Sequence, residues 1–432
     1  LLIVVARSRE YGGLLRALRS RNYRLFVAGQ GISLVGTWMQ QVAMSWLVYR
    51  LTGSALLLGV VGFTSQIPTL LLAPVAGVLA DRWNRRRLLM LNQTFAMLQA
   101  AFLATAVLGG FVQIWLIVLL SLLLGMITAF EIPIRQSFVV ELVEQRKDLG
   151  SAIAFNSSMV NAARLIGPSV AGVLVASAGE GVCFIINCVS YMAVILALAA
   201  MRIAPRPPRP QQRHVMHELR EGFTYTFGFG PIRSILLLIA FVSLMGMPYT
   251  VLVPVFAKEI LHGGAHTFGF LMTAAGSGAF IGTLYLGSRR NVLGLGRVIV
   301  TAVILLAAGI AVFAVSSYLP ISMAALAVAG FGSITVVASC NTILQTILEE
   351  DKRGRVMSFF TMAFVGMAPF GSLGAGAMAD AVGVRYTLLT GAGFCLAGAA
   401  MFARKLPKIR EKIRPIYVRM GIIHDQTSGT GN

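Results

Sequence analysis

Twelve stretches of this chain are apolar for about 20 residues or more, the length a helix needs to cross the roughly 30 Å hydrocarbon core of a bilayer. They fall near residues 24–50, 54–80, 87–109, 112–137, 149–178, 181–202, 233–260, 264–288, 293–315, 318–347, 353–381 and 383–404. A backbone in hydrocarbon must satisfy its own hydrogen bonds, so runs of this length read as helices. Of the 432 residues, 57% are hydrophobic and 12% charged, about half the charge of an ordinary soluble domain. A soluble fold could not hide that apolar surface. The expectation is an all-α polytopic membrane protein of twelve spans embedded in the lipid bilayer. Thr52, Gly53 and Ser54 mark the first boundary, with Ser54 placed to cap the second helix.

The net charge of +20 is informative through its position. Of the 36 Lys and Arg residues, Arg50, Lys258 and Arg385 lie in odd-numbered gaps between spans and Arg164 lies inside a span; the other 32 lie in the termini and even-numbered gaps. Positive segments resist translocation, so the termini and even gaps are expected in the cytoplasm. This accounts for the basic balance without nucleic acid. Leu1–Arg24 places a short apolar stretch before basic residues, the reverse of signal-peptide order. A start at Leu1 rather than Met reads as a trimmed start or an alternative start codon.

The longest polar interruption, Ile203–Pro231, follows six spans and contains Pro205, Pro207, Pro208 and Pro210. It divides the chain into a cytoplasmic N-terminal segment (1–23), a first bundle (24–202), a linker (203–232), a second bundle (233–404) and a basic cytoplasmic tail (405–432). In the linker, Val215, Leu219, Phe223 and Phe227 recur every four residues, one apolar face of a short surface helix. A plain flexible linker fits as well. At an offset of 209, Arg24 matches Arg233, and Gln136, Ser137 and Glu141 match Gln345, Thr346 and Glu350. Such internal repeats accompany transporters whose path runs between two halves. A chain holding both halves reads as a monomer.

Between spans 2 and 3, residues 77–87 read GVLADRWNRRR. Span 5 contains ARLIGPSVAG at 163–172. The first resembles the signature loop of the major facilitator superfamily, GxLaDrxGrrx, with Asn84 where glycine is usual. The second is similar to that superfamily's antiporter motif, gxxxGPxxGG, with Ala163 and Ala171 replacing two glycines. More specific are GTWMQQ (36–41), WLVY (46–49) with TGS (52–54), PIRQ (133–136), AFNS (154–157), Cys183 and Phe184 with Asn187, and RGRVMS (353–358). Together they look like the branch containing the enterobactin exporter and macrolide efflux proteins, from about Arg21 to Arg404.

The resemblance implies two six-helix bundles, alternating access, and export of a bulky amphipathic small molecule coupled to protons. It also implies a cytoplasmic gate at Gly77, Asp81, Arg82, Arg85, Arg86 and Arg135, and a bending and packing motif at Gly167, Pro168 and Gly172. One departure limits it. Drug/proton antiporters commonly carry Arg four residues before a span-4 glycine, and here Ser121 precedes Gly125. Lysolipid movement, nutrient uptake, and a non-transporting sensor or scaffold remain open.

Ionisable groups inside a span are expensive and usually functional. Arg164 lies midway along span 5, and Ser157 and Asn161 share its helix face at spacings of four and three. This face is expected to line a central cavity, the alternative being an Arg tied to backbone carbonyls or a lipid head group. At 1.5 Å per residue, Glu131 lies about 9 Å in from Ser137, and Arg164 about 21 Å deep. Arg135, one turn away, is the nearer partner for Glu131. Glu131 is a candidate proton carrier or one side of a structural ion pair. Trp38, Gln41 and Tyr249 fall near the depth of Arg164, with Asn341 and Gln345 lower in span 10; these complete the candidate cavity. Asp380, near the outer end of span 11, reads as solvated.

Neither cofactor nor metal is expected. His214 and His217, and His262 and His266, have no carboxylate or thiolate to complete a site. Cys183, Cys188, Cys340 and Cys395 sit in apolar runs and read as small buried hydrophobes. Enzyme signatures are missing: no Lys follows a Gly, residues 217–221 (HELRE) stop short of HExxH, and no GxSxG occurs. If the Asp81 loop is a gate, Asp81→Asn should slow turnover more than it weakens substrate binding; an unchanged transport rate would count against the gate.

Overall fold

The computed structural model describes residues 16–142, 148–202, 225–289, 291–348, 350–420 and 422–423. After a short turn at Arg16–Arg19 the first bundle comprises α1 (Arg21–Thr52), α2 (Ala55–Arg82), α3 (Arg85–Leu108), α4 (Ile114–Leu142), α5 (Leu149–Ala178) and α6 (Glu180–Ala200). The second comprises α7 (Gly230–Met245), α8 (Tyr249–Glu259), α9 (Ala265–Gly287), α10 (Leu295–Val315), α11 (Leu319–Ile347), α12 (Glu350–Val365), α13 (Ala368–Val382) and α14 (Val384–Arg419). No strand occurs among the described residues.

Eleven stretches of the described residues are helical, long and apolar enough to cross a membrane, with α7–α8 and α12–α13 each making one span. Helix α1 completes the twelve. Its 32 residues give it about 48 Å of length. Its amides lower its hydropathy, and the reason they are tolerated is positional: Gln30 and Gln40 are each 1% exposed, turned into the first bundle.

Each half packs in the same pattern. In the first, α2 lies on α4, α1 on α5 and α6, and α3 on α4 and α6. In the second, α9 lies on α11, the α7–α8 span touches α12, α13 and α14, and α10 packs on α11 and α14. These are the same span pairs shifted by six. Between the halves, α2 meets α13 and α5 meets α9, two seams that the same symmetry exchanges. The fold is thus two pseudo-symmetric six-helix bundles.

Local chemistry explains the helix ends. Gly53 adopts φ +62° and returns its N–H to Tyr49 O, ending α1 in the left-handed conformation that glycine reaches most cheaply. Asn84 caps α3, its Oδ1 accepting from Arg87 N at 3.1 Å. Ser54 caps α2 by accepting from Leu57 N at 3.3 Å.

Two features depart from the sequence expectation. Spans 7 and 11 are not continuous. Gly246–Pro248 separates α7 from α8, and Gly366 and Met367 separate α12 from α13, with Pro369 just inside the new helix. Proline has no N–H to donate, so each break sits where the helical ladder is already interrupted. Helix α14 does not stop near Arg404; it continues to Arg419 through Pro407 and Pro415. Leu406, Ile409, Ile413 and Tyr417 keep one face buried along that extension, at spacings of three and four. The expected basic tail therefore begins as helix. Of the linker stripe, Val215, Leu219 and Phe223 lie outside the described residues, as do His214 and His217; Phe227 packs edge-on against Phe359 at 6.3 Å.

Calling the termini and even gaps the basic end, and the odd gaps the neutral end, the charge rule makes the cytoplasm the expected side of the basic end. A single cysteine at Gly264, with the four native cysteines replaced, should react with a membrane-impermeant maleimide on intact cells, and one at Asn84 should not. Labelling in the opposite sense would invert the topology.

Candidate functional site

Small residues set the distance between the halves. A Cβ at Gly172 of α5 would lie 2.7 Å from Gly269 Cα of α9, and one at Gly376 of α13 would lie 2.5 Å from Ala55 O of α2. Backbone therefore runs against backbone along both seams. The span-5 motif is spent on packing: Gly167 faces α1, where a Cβ would meet Trp38 Cβ at 2.5 Å, and Gly172 faces α9. Pro168 is accommodated within the unbroken helix α5. Ser169 and Thr273 join hydroxyls across the same seam at 2.8 Å.

At the neutral end the halves are also tied by polar and aromatic contacts. Asp380 of α13 accepts from Ser54 Oγ and from Ala55 N, each at 2.7 Å, so a carboxylate of one half caps a helix of the other. Although exposed, Asp380 is not merely solvated. Tyr49 donates its hydroxyl to Glu259 at 2.5 Å, Lys258 Nζ lies 5.3 Å from the Tyr49 ring centroid, and Trp46 stacks on Phe268 at 6.1 Å. Arg50 pairs with Glu180 within the first half at 2.7 Å. None of these partners shares a local motif, so sequence reading missed them; the only prior signal was charge at the ends of spans.

Midway along α5, the Arg164 guanidinium carbon lies 4.8 Å from the Trp38 ring centroid. Tyr249, the first residue of α8 at the break in span 7, is close enough to interact electrostatically with Arg164. Structure thus brings together Trp38, Arg164 and Tyr249, drawn from both halves. The remaining cavity candidates are dispersed. Gln41 is exposed, Asn161 is half-buried and bonded, and the Ser157 side chain lies outside the described residues. Asn341 and Gln345 bond to each other at 3.1 Å, one turn apart on α11.

A second polar system lies inside the first bundle. Glu131 accepts from Gln30 Nε2 at 3.2 Å and pairs with Arg135 at 3.6 Å; Arg135 also reaches Asn156 Oδ1 at 3.4 Å. The predicted preference of Glu131 for Arg135 is met in this geometry. On α1, which also carries Gln30, Thr37 bonds Tyr191 of α6 at 3.3 Å. Gln40 donates to Gln99 at 3.0 Å and accepts from Asn187 Nδ2 at 2.7 Å. Gln30, Gln99 and Tyr191 were not singled out from sequence. Their signal was present as amides and hydroxyls inside apolar runs.

At the basic end, Gly77, Asp81 and Arg82 occupy the last turns of α2, but their side chains lie outside the described residues. Arg85 pairs with Glu141 of α4 at 2.5 Å, and Arg86 donates to Ala199 O of α6 at 2.9 Å. The arginines after Asn84 thus tie α3 to α4 and α6. Among the described residues no cluster of His, Cys, Asp or Glu could hold a metal ion.

Residues 13–418 match the family model for transmembrane secretion effectors. The chain is 26% identical over 397 residues to the staphyloferrin A transporter of Staphylococcus aureus, covering 90% of this chain and 97% of that one. It is 25% identical to the multidrug efflux pump Tap of Mycolicibacterium fortuitum, covering 89% and 93%, and 23% identical to macrolide efflux protein A of Streptococcus pyogenes, covering 84% and 90%. Among solved structures, a bacterial homologue of the human lysosomal transporter Spinster, in an inward-facing and unoccupied conformation, superposes with a TM-score of 0.73 at 16% identity, covering 90% of this chain and 98% of that chain. A D-xylose–proton symporter superposes with a TM-score of 0.71 at 15% identity, covering 88% and 96%.

The buried amide network makes a quantitative expectation. Asn187→Leu removes the donor to Gln40 Oε1, and an orphaned buried acceptor costs about 1–3 kcal/mol. Thermal unfolding of the purified protein should show a lowered midpoint; an unchanged one would mean the network contributes nothing to stability.

Proposed function

The chain belongs to the transmembrane secretion effector family of the major facilitator transporters, and from that premise we propose that it exports a bulky amphipathic small molecule by proton-coupled alternating access. The observation that carries this reading is the arrangement at the neutral end, where the seam and the cross-half bonds of Asp380 and Tyr49 lie beyond the mid-depth residues Trp38, Arg164 and Tyr249. With the basic end in the cytoplasm, this is a state closed to the outside. Substrate enters from the cytoplasmic side and meets residues of both halves. The halves then rock, the neutral-end seam parts, and the Asp81 loop closes the cytoplasmic side. Both walls of the path come from one chain, which supports a monomer as the working unit. Two relatives named for efflux support export over uptake.

Glu131 is the proposed proton carrier. Gln30 and Arg135 hold its carboxylate, and proton uptake would release Arg135 from the ion pair. That release is a local charge change able to bias one rocking state over the other.

Labelled macrolides and siderophores offered to inverted membrane vesicles test both parts. Accumulation is expected for at least one compound when the lumen is acidic, and Glu131→Gln should lose most of the dependence on the pH gradient. Accumulation of none would remove the export reading, and a Glu131→Gln protein with full gradient dependence would remove the proton assignment.

A further inference from the structure

Arg164 is unlike the other arginines that have contacts inside the bundles. Arg135 has Glu131 and Asn156, and Arg85 has Glu141. Among the described residues, no hydrogen bond or ion pair reaches the Arg164 guanidinium, and its nitrogens are not among the sealed, unsatisfied atoms. It is half-buried at mid-helix, with solvent-accessible nitrogens. The elements around it come from both halves: Trp38 on α1, Tyr249 on α8, and α9, where a Cβ at Gly276 would lie 2.9 Å from Arg164 O. The accessible space is therefore between the halves rather than on the lipid face.

Three details set what such a space would receive. The Trp38 ring covers the guanidinium and leaves the planar N–H edges, the fork that matches a carboxylate, unoccupied. The Tyr249 hydroxyl has no hydrogen-bond partner among the described residues and is near enough to Arg164 to interact electrostatically. Tyr249 also begins α8, so the positive end of that helix dipole adds to the cation. An unpaired guanidinium at this depth is costly unless an anion joins it.

The geometry points to a subsite for an anionic group, the carboxylate of an amphipathic substrate, held by the Arg164 guanidinium with the Tyr249 hydroxyl and the Trp38 ring beside it. This names the substrate class of the central path and rests on the transport reading. Substrates whose anionic group is masked should lose this contact while keeping their apolar ones.

The test is direct binding to the purified full-length protein in phosphatidylcholine nanodiscs, using dansyl-undecanoic acid and its methyl ester. The wild-type protein should bind the acid about tenfold more tightly than the ester, the gain expected of one charge-assisted bidentate contact. Arg164→Gln should abolish that preference, and Arg164→Lys should keep part of it. Equal binding of acid and ester by the wild type, or a preference surviving in Arg164→Gln, overturns the proposal; the wild-type comparison decides even if the variant does not fold. In nanodiscs containing phosphatidylglycerol, unchanged acid binding supports a soluble substrate, whereas its loss assigns the subsite to a lipid head group and overturns the substrate reading. Acid-selective binding without any transport in inverted vesicles would uphold the subsite and remove the export reading.

Discussion

Water is absent from the middle of a bilayer, and a chain placed there must satisfy its polar groups from within. The backbone does so by forming twelve spans of helix. Polar side chains inside those spans face the same constraint, and in the first bundle several turn inward and pair. Gln40 is held between Gln99 and Asn187, Thr37 meets Tyr191, and Glu131 is held by Gln30 and Arg135. Helix α1 carries so many of these groups that its hydropathy falls below that of the other spans, yet it packs on α5 and α6 as a full member of the bundle. Arg164 stands apart because it lies at mid-helix with no hydrogen bond or ion pair among the described residues.

The two halves meet differently from the helices within each half. Glycine and other small residues bring the α2–α13 and α5–α9 backbones into contact, which gives close packing with little side-chain interlock. Specific bonds are added at the neutral end, where Asp380 caps α2 and Tyr49 reaches Glu259. Close-packed seams of small residues joined by a few specific contacts suit rigid-body rocking. The symmetry of the contacts sharpens the point. Spans 1 and 7, and 5 and 11, occupy equivalent places, but among the described residues breaks occur in spans 7 and 11 only, so the second half carries the irregular backbone.

Much of this was legible beforehand. Apolar run length marked the spans because helix rise and bilayer thickness are fixed quantities, and the proline-rich interval split them six and six. The loop at 77–87 and the motif at 163–172 pointed to the family. Asn84, a departure from the usual glycine, turned out to have a local purpose as the α3 cap. Less was legible of the site. Trp38, Arg164 and Tyr249 do converge, but Asn341 and Gln345 satisfy each other on α11 and Gln41 is exposed. Polarity at a given depth says that a group needs a partner and leaves open whether that partner is substrate, neighbour or water.

The sequence by itself determined that this protein crosses a membrane twelve times, in two repeated halves, with its positive charge at one end. Those properties depend on local composition and on the chain's order, which no packing can alter. Only the tertiary structure decided that Asp380 caps a helix 325 positions away, that α14 continues past two prolines because one face stays buried, and that Arg164 has an aromatic neighbour and, among the described residues, no acid paired with it. Each depends on which helix faces meet across the seams, a long-range outcome of packing that residue spacing along one helix does not encode.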